Sequence, residues 1–199
     1  VVASGAMTVN AASLTTAALT FVGTAEGATT PGAFTITTLG TGDHIITLGS
    51  GADTYTNTGS GVNTVVATAG ANTITTGSGA DIITLGTAVD IVTAGSGNDT
   101  IQSLAANLVS TDTITGGDGT DILSITDAST VVSTATATTA ITDSDFTNIT
   151  TVETLTLSAN ADTVTLGAAS MAAGIVTVNP AAGANTVTVG AGHTSAVTV

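Results

Sequence analysis

From residue 39 onward the chain alternates glycine-rich polar turns with single large apolar residues, and the alternation returns about every nine positions. The turns read Gly49-Ser50-Gly51-Ala52-Asp53, Gly59-Ser60-Gly61-Val62-Asn63, Gly77-Ser78-Gly79-Ala80-Asp81, Gly95-Ser96-Gly97-Asn98-Asp99 and Gly117-Asp118-Gly119-Thr120-Asp121. Two positions after each acid or amide stands an apolar residue: Tyr55, Val65, Ile83, Ile101 and Leu123. A polar-apolar-polar triplet predicts a short strand that turns its middle side chain into a core. A period of this length is too short to bury a face alone, so the units must stack as the coils of a solenoid. Two units make one coil, which places turns eighteen residues apart directly above one another. One column then holds His44, Asn63, Asp81 and Asp99, and the other Asp53, Asn72 and Asp90.

The flanks carry the same strand signal with less glycine. Met7-Thr8-Val9, Leu19-Thr20-Phe21-Val22 and Phe34-Thr35-Ile36 read as strands, with Pro31 in a turn between them. The nine-residue phase breaks over residues 100–110, where Gln102 to Leu108 reads as a bulged loop or one helical turn. A Thr/Ala tract at 130–140 reads as a spacer. Beyond it Val164-Thr165-Leu166, Val176-Thr177-Val178, Val187-Thr188-Val189 and Val197-Thr198-Val199 suggest wider rungs. The expected fold is all-β, a parallel β-solenoid (β-roll or β-helix). Residues 1–38 form lead-in rungs, 39–126 the repeat roll and 127–199 wider rungs after the spacer.

Composition narrows the chemistry. The 199 residues include no lysine or arginine, and the formal net charge is −14. Such a chain has no side chain to neutralise phosphate, which excludes nucleic acid and argues against anionic lipid. It attracts cations. It is not a disordered acidic tail, because 42% of it is hydrophobic. Aromatic residues make up only 2%, so the core is thin and built of β-branched side chains. Cysteine is absent, and no apolar run is long enough to span a bilayer as a helix. The chain begins at Val1 without a signal peptide, the expectation being a processed chain or an excerpt of a longer one.

A carboxylate fixed at the end of every glycine turn points to a hard divalent cation. Calcium takes six to eight oxygens at about 2.3–2.6 Å, from carboxylates and carbonyls alike. Glycines that adopt positive φ let turn carbonyls point inward. The candidate ligands are Asp53, Asp81, Asp90, Asp99 and Asp121, with the turn glycines Gly77, Gly79, Gly95, Gly97, Gly117 and Gly119. Asp81 and Asp99, in complete turns of one column, make the strongest pair. The opposite column is weaker: Asn72 is neutral, and the turn before Asp90 lacks its second glycine. Stacked carboxylates repel, so cations are expected to drive folding. Set against this, Asp and Asn also favour plain turns, and the Asn turns at 63, 72 and 185 equally suit an amide ladder. Asp143 and Asp145 read as capping or loop residues, and Glu26 and Glu153 as solvated charges. His44 and His193 read as turn residues. No catalytic constellation stands apart from the acid columns, no zinc ligand set is present, and the expected answer is no enzyme.

The pattern resembles the calcium-binding repeats-in-toxin (RTX) β-roll, Gly-Gly-x-Gly-x-Asp-x-U-x with U apolar, over roughly residues 39–126. Here the first glycine is usually replaced by Leu, Thr or Ala. The resemblance implies Ca2+ between stacked turns, type I secretion and folding outside the cell. Phe146-Thr147-Asn148 followed by Val152-Glu153-Thr154-Leu155 is similar to spacers in large bacterial surface-layer and cell-surface proteins. The expected function is a secreted, calcium-binding structural protein at the bacterial cell surface, a subunit of a self-assembling surface layer (S-layer) or sheath. Its partners would be further copies in a lattice or filament, with cell-surface polysaccharide touched through parts outside this stretch. The alternatives are an adhesin or filament stalk, and the secretion-linked tail of an exported protease or lipase. An ice-binding roll is a further alternative; it needs a regular outward Thr/Asn row, which repeats this varied do not promise.

Overall fold

The computed structural model describes residues 6–23, 32–127 and 140–199. Pro31, Glu26 and positions 130–139 of the Thr/Ala tract lie outside the described residues. Eighteen short strands occur among those described: β1 (Met7–Ala11), β2 (Thr20–Val22), β3 (Phe34–Thr38), β4 (Ile45–Thr47), β5 (Thr54–Asn57) and β6 (Thr64–Val66). They continue as β7 (Thr73–Thr75), β8 (Ile82–Thr84), β9 (Ile91–Ser96), β10 (Thr100–Ser103), β11 (Thr113–Asp118) and β12 (Ile122–Ile125). The last are β13 (Ala140–Ile141), β14 (Ile149–Thr150), β15 (Thr154–Thr156), β16 (Thr163–Leu166), β17 (Thr177–Asn179) and β18 (Thr186–Val189).

Through β12, odd and even strands separate into two parallel sheets, and the order shifts by one beyond it. The first runs β1-β3-β5-β7-β9-β11-β14, and the second β17-β15-β12-β10-β8-β6-β4-β2. The chain is therefore a parallel β-solenoid, one strand of each sheet per coil. The apolar residue of each triplet points inward, as its pattern requires. Ile36, Tyr55, Ile74, Val92, Ile114 and Ile149 stack in register down the first sheet. Ile46, Val65, Ile83, Ile101, Leu123 and Leu155 stack down the second. Nearly all are wholly buried, each contributing roughly 1.5–3 kcal/mol of apolar burial.

Coil length follows the sequence. Register partners lie 19 residues apart from Asp53 to Asn72 and 18 from Asp81 to Asp99. The step grows to 22 from Asp99 to Asp121, and to 32 from Asp121 to Glu153. The 22-residue coil absorbs its extra residues after β10. There Asn107 and Leu108 N–H both donate to the Leu104 carbonyl, so this is a helical turn. The nine-residue phase consequently persists through β10 and breaks only after it. A third sheet, β13-β16-β18, carries the C-terminal coils with a step of 23 residues from Thr163 to Thr186.

Two helical elements depart from the all-strand expectation. A 3-10 turn spans Asp143–Phe146 and buries Phe146. Helix α1 (Ala168–Ala173) lies between Gly167 and Gly174, the latter at φ 105. Three N–H groups, of Gly167, Ala169 and Ser170, donate to the Asp143 carboxylate. Asp145 accepts from Thr142 N–H and its hydroxyl. Both acids thus act as caps.

Candidate metal centre

Turns that carry the chain from the first sheet to the second stack along one edge of the roll; the returning turns stack along the other. On the first edge stand His44, Asn63, Asp81, Asp99 and Asp121, on the second Asp53, Asn72, Asp90 and Asp112. The two columns read from the spacing are therefore both present.

Each acid reaches back to the coil before it. On the first edge Asn63 N–H donates to Asp81 Oδ1 (2.6 Å), Asp81 N–H to Asp99 Oδ1 (2.7 Å) and Asp99 N–H to Asp121 Oδ1 (2.8 Å). On the second, Asp53 N–H donates to Asn72 Oδ1 (3.2 Å), Asn72 N–H to Asp90 Oδ1 (3.0 Å) and Asp90 N–H to Asp112 Oδ1 (2.9 Å).

The other carboxylate oxygen distinguishes the edges. On the second edge it is closed by the turn itself. Asp53 Oδ2 accepts Gly49 N–H (3.0 Å), Asp90 Oδ2 accepts Gly86 N–H (3.1 Å) and Asp112 Oδ2 accepts Val109 N–H (3.0 Å). On the first edge Asp81, Asp99 and Asp121 each keep a buried Oδ2 with no hydrogen-bond partner. The backbone of these turns bonds to neighbouring coils, Gly117 N–H for one donating to Thr151 Oγ1. Ser78 N–H donates to Gly59 O and Ser96 N–H to Gly77 O, while Gly95 and Gly117 pair within β9 and β11. No turn N–H is bonded to these oxygens.

Stacking also explains the glycines. A Cβ built on Gly77, Gly79, Gly95, Gly97, Gly117 or Gly119 would overlap a carbonyl oxygen of the turn below. Positive φ applies only to the later pairs, among them Gly97 at 128 and Gly119 at 144; Gly77 and Gly79 are glycine for want of room.

An orphaned, buried anionic oxygen is costly unless something neutralises it. Burial raises the Asp81, Asp99 and Asp121 carboxyls above the usual range. Asp99 rises to about 6, through burial first and then the charges of Asp81 and Asp121 on either side. Asp53 and Asp112 are also raised by burial. The first edge thus offers hard oxygen donors, negative charge and no protein cation, which fits calcium. Among the described residues no three acids or histidines gather at one point. A cation on this edge would take carboxylates from successive coils and backbone carbonyls for the remainder.

The Asn turns solve the same problem without an ion. Asn63 Nδ2 donates to Asp81 Oδ1 (2.8 Å) and to Gly61 O (2.9 Å), and its Oδ1 accepts from Tyr55 (3.1 Å). Asn72 Nδ2 likewise bridges Gly70 O and Asp90 Oδ1. His44 is buried, with Nδ1 accepting Leu19 N–H. His193 is buried against the Ile175 carbonyl.

Two residues of the columns escaped sequence reading. Asp112 continues the second edge; its Asp-x-U signature, Asp112-Thr113-Ile114, was available but no glycine precedes it. Glu153, read as a solvated charge, is half-buried and accepts Asp121 N–H at 2.8 Å.

Residues 57–92, 84–107 and 110–124 match the family model of the RTX calcium-binding nonapeptide repeat, in four copies. This part of the chain carries RTX repeats, a calcium-binding kind typical of secreted proteins. No curated protein and no solved structure matched. Among the described residues no helix is long and apolar enough to cross a membrane.

Proposed function

We propose that the chain is a calcium-stiffened structural module of an exported protein, without catalytic activity, serving as a unit of a self-assembling bacterial surface layer or sheath. The observation that carries this reading is the row of buried, unpartnered Asp81, Asp99 and Asp121 oxygens along one edge. Cation binding there removes repulsion between coils and links folding to calcium concentration. Extracellular calcium sites of roughly 0.1–1 mM affinity would leave the chain loose inside a cell and rigid outside. The absence of lysine and arginine supports calcium, rather than ion pairs, as the bridge between copies. Two tests apply. Far-UV circular dichroism that does not change on chelation would remove the folding link. Electron microscopy should show sheets with calcium that dissolve in chelator; a monomeric rod in sedimentation would favour the adhesin stalk instead. A catalytic motif upstream in the full gene would favour the enzyme tail.

One observation favours a second reading. The outer face of the first sheet aligns Thr37, Thr56, Thr75, Thr93, Thr115 and Thr150 in register. Beside this row run Thr35, Thr54, Thr73 and Thr113, interrupted by Ile91. Strands about 4.8 Å apart make this a regular grid of hydroxyl and methyl groups. It is the row that an ice-binding face needs, more regular than the varied repeats promised. Thermal hysteresis in the calcium-loaded protein supports it; freezing indistinguishable from that of a control protein rejects it.

A further inference from the structure

The match to the repeat family ends at residue 124, but the first edge does not end there. Asp121 N–H donates to Glu153 Oε2 at 2.8 Å, as Asp99 N–H donates to Asp121. Glu153 therefore takes the acid's place one coil further on. The turn before it reaches the acid by a shorter path: Glu153 comes three residues after Thr150, whereas Asp121 comes six after Thr115, the register partner of Thr150. Thr151-Val152-Glu153 replaces the longer Gly116-Gly117-Asp118-Gly119-Thr120-Asp121 of the preceding coil; Thr151, beside Gly116 and Gly117, holds φ 52. A β-branched residue adopts that left-handed conformation only where its surroundings impose it. Its Oγ1 accepts Gly117 N–H at 2.8 Å, tying the two turns together.

Between these turns oxygens converge. A Cβ built on Gly116 would overlap the Thr151 carbonyl oxygen and come within 2.5 Å of Asp121 Oδ2. Asp121 is 0% exposed, and its Oδ2 is one of the unpartnered oxygens. The neighbourhood thus holds a buried carboxylate, a backbone carbonyl and a second carboxylate, in a chain without lysine or arginine. Neutralisation has to come from solution.

We propose that Asp121, the Thr151 carbonyl and Glu153 hold a divalent cation of calcium's class between the last matched repeat and the first coil beyond it. The inference rests on the reading of the first edge as cation-binding. Its consequence is mechanical. The first sheet is thin at this seam, where β11 and β14 share only Ile114↔Ile149 and Thr115↔Thr150. A cation here clamps the C-terminal coils to the roll.

The test compares the full chain with Glu153→Gln, whose amide oxygen still accepts Asp121 N–H. Native mass spectrometry counts bound calcium, and hydrogen exchange reads β14, β15 and β17. The variant should bind one calcium fewer, and these strands should exchange at least tenfold faster than in the parent with calcium present, at equal rates without it. An unchanged count and unchanged exchange overturn the proposal. A parent chain that binds no calcium at all overturns the first-edge reading itself. Should Glu153→Gln not fold, Glu153→Asp keeps the charge but shortens the reach. It should weaken the last site at least tenfold, and parental affinity in that variant also overturns the proposal.

Discussion

Replacing Asp99 by Asn should change stability in opposite directions with and without calcium. Asp99 is 1% exposed, sits between Asp81 and Asp121 on the first edge, and keeps an unpartnered Oδ2. Without a cation its ionised form opposes folding. The displacement of its carboxyl from 3.8 to about 6 sets an upper bound near ~3 kcal/mol, less once solvent screening is counted. An amide removes that charge and can bridge to Asp121, as Asn63 does to Asp81 at 2.8 Å. Calcium-free Asp99→Asn should therefore be more stable than the parent by about 1–3 kcal/mol. With calcium the order reverses, because Asp99 lies between two cation positions. At 10 mM calcium and affinities of roughly 0.1–1 mM, each lost position removes about 1.4–2.7 kcal/mol. Urea unfolding followed by circular dichroism, in calcium-free buffer and in 10 mM calcium, measures both. Asp90→Asn is the control, since Gly86 N–H already satisfies the second oxygen of Asp90. An equal calcium response in the parent and Asp99→Asn would refute the reasoning, as would an Asp90→Asn chain that loses as much response as Asp99→Asn.

Other substitutions and conditions probe separate parts of the account. Because burial raises the folded-state carboxyls of Asp53, Asp81, Asp99, Asp112 and Asp121, their contribution favours folding below the unfolded value near 3.8. It is lost as pH rises, for Asp99 through about 6. Calcium-free protein should thus gain order between pH 7.5 and pH 4.5 by circular dichroism, and a loss of order over that range would contradict it. Asn63→Asp removes the amide donors to Asp81 and Gly61, and should cost about 1–3 kcal/mol without calcium while adding one bound calcium in mass spectrometry. Gly97→Ala drives a Cβ into the Gly79 carbonyl at φ 128, and should destabilise the roll by roughly 1–3 kcal/mol or more in either buffer, read by thermal melting. Asp143→Ala removes the cap of α1 and should cost about 1 kcal/mol independently of calcium in the same melts. Burial raises the Asp143 carboxyl, but the hydrogen bonds from Ser170, Ala169 and Gly167 outweigh it and hold it below 3.8, so its contribution fades as pH falls through that lowered value.

The solenoid and its two columns were legible because period and pleat are local: an acid, then an apolar residue two places on, fixes which side chain enters the core. The difference between the edges was not. Gly49-Ser50-Gly51-Ala52-Asp53 and Gly77-Ser78-Gly79-Ala80-Asp81 are the same five residues, yet Gly49 N–H closes on Asp53 Oδ2 while Asp81 Oδ2 stays open. The distinction lies in whether a turn leaves the first sheet or the second, and so in what its backbone bonds to one coil away. Glu153 escaped for a related reason. Its coil is 32 residues long, so no short period pointed to it, and its turn runs only three residues on from Thr150, without the glycines that mark the other turns of its edge. Helix α1 had a local signal, an Ala-rich run between Gly167 and Gly174, that went unread beside the strand pattern.

The central claim concerns where metal sits, and an anomalous difference map from crystals grown with calcium, or with terbium in its place, tests it most directly. Peaks are expected between the turns ending at Asp81, Asp99 and Asp121, with none between those ending at Asp53, Asn72 and Asp90. Peaks of equal height along both edges, or along neither, would contradict it.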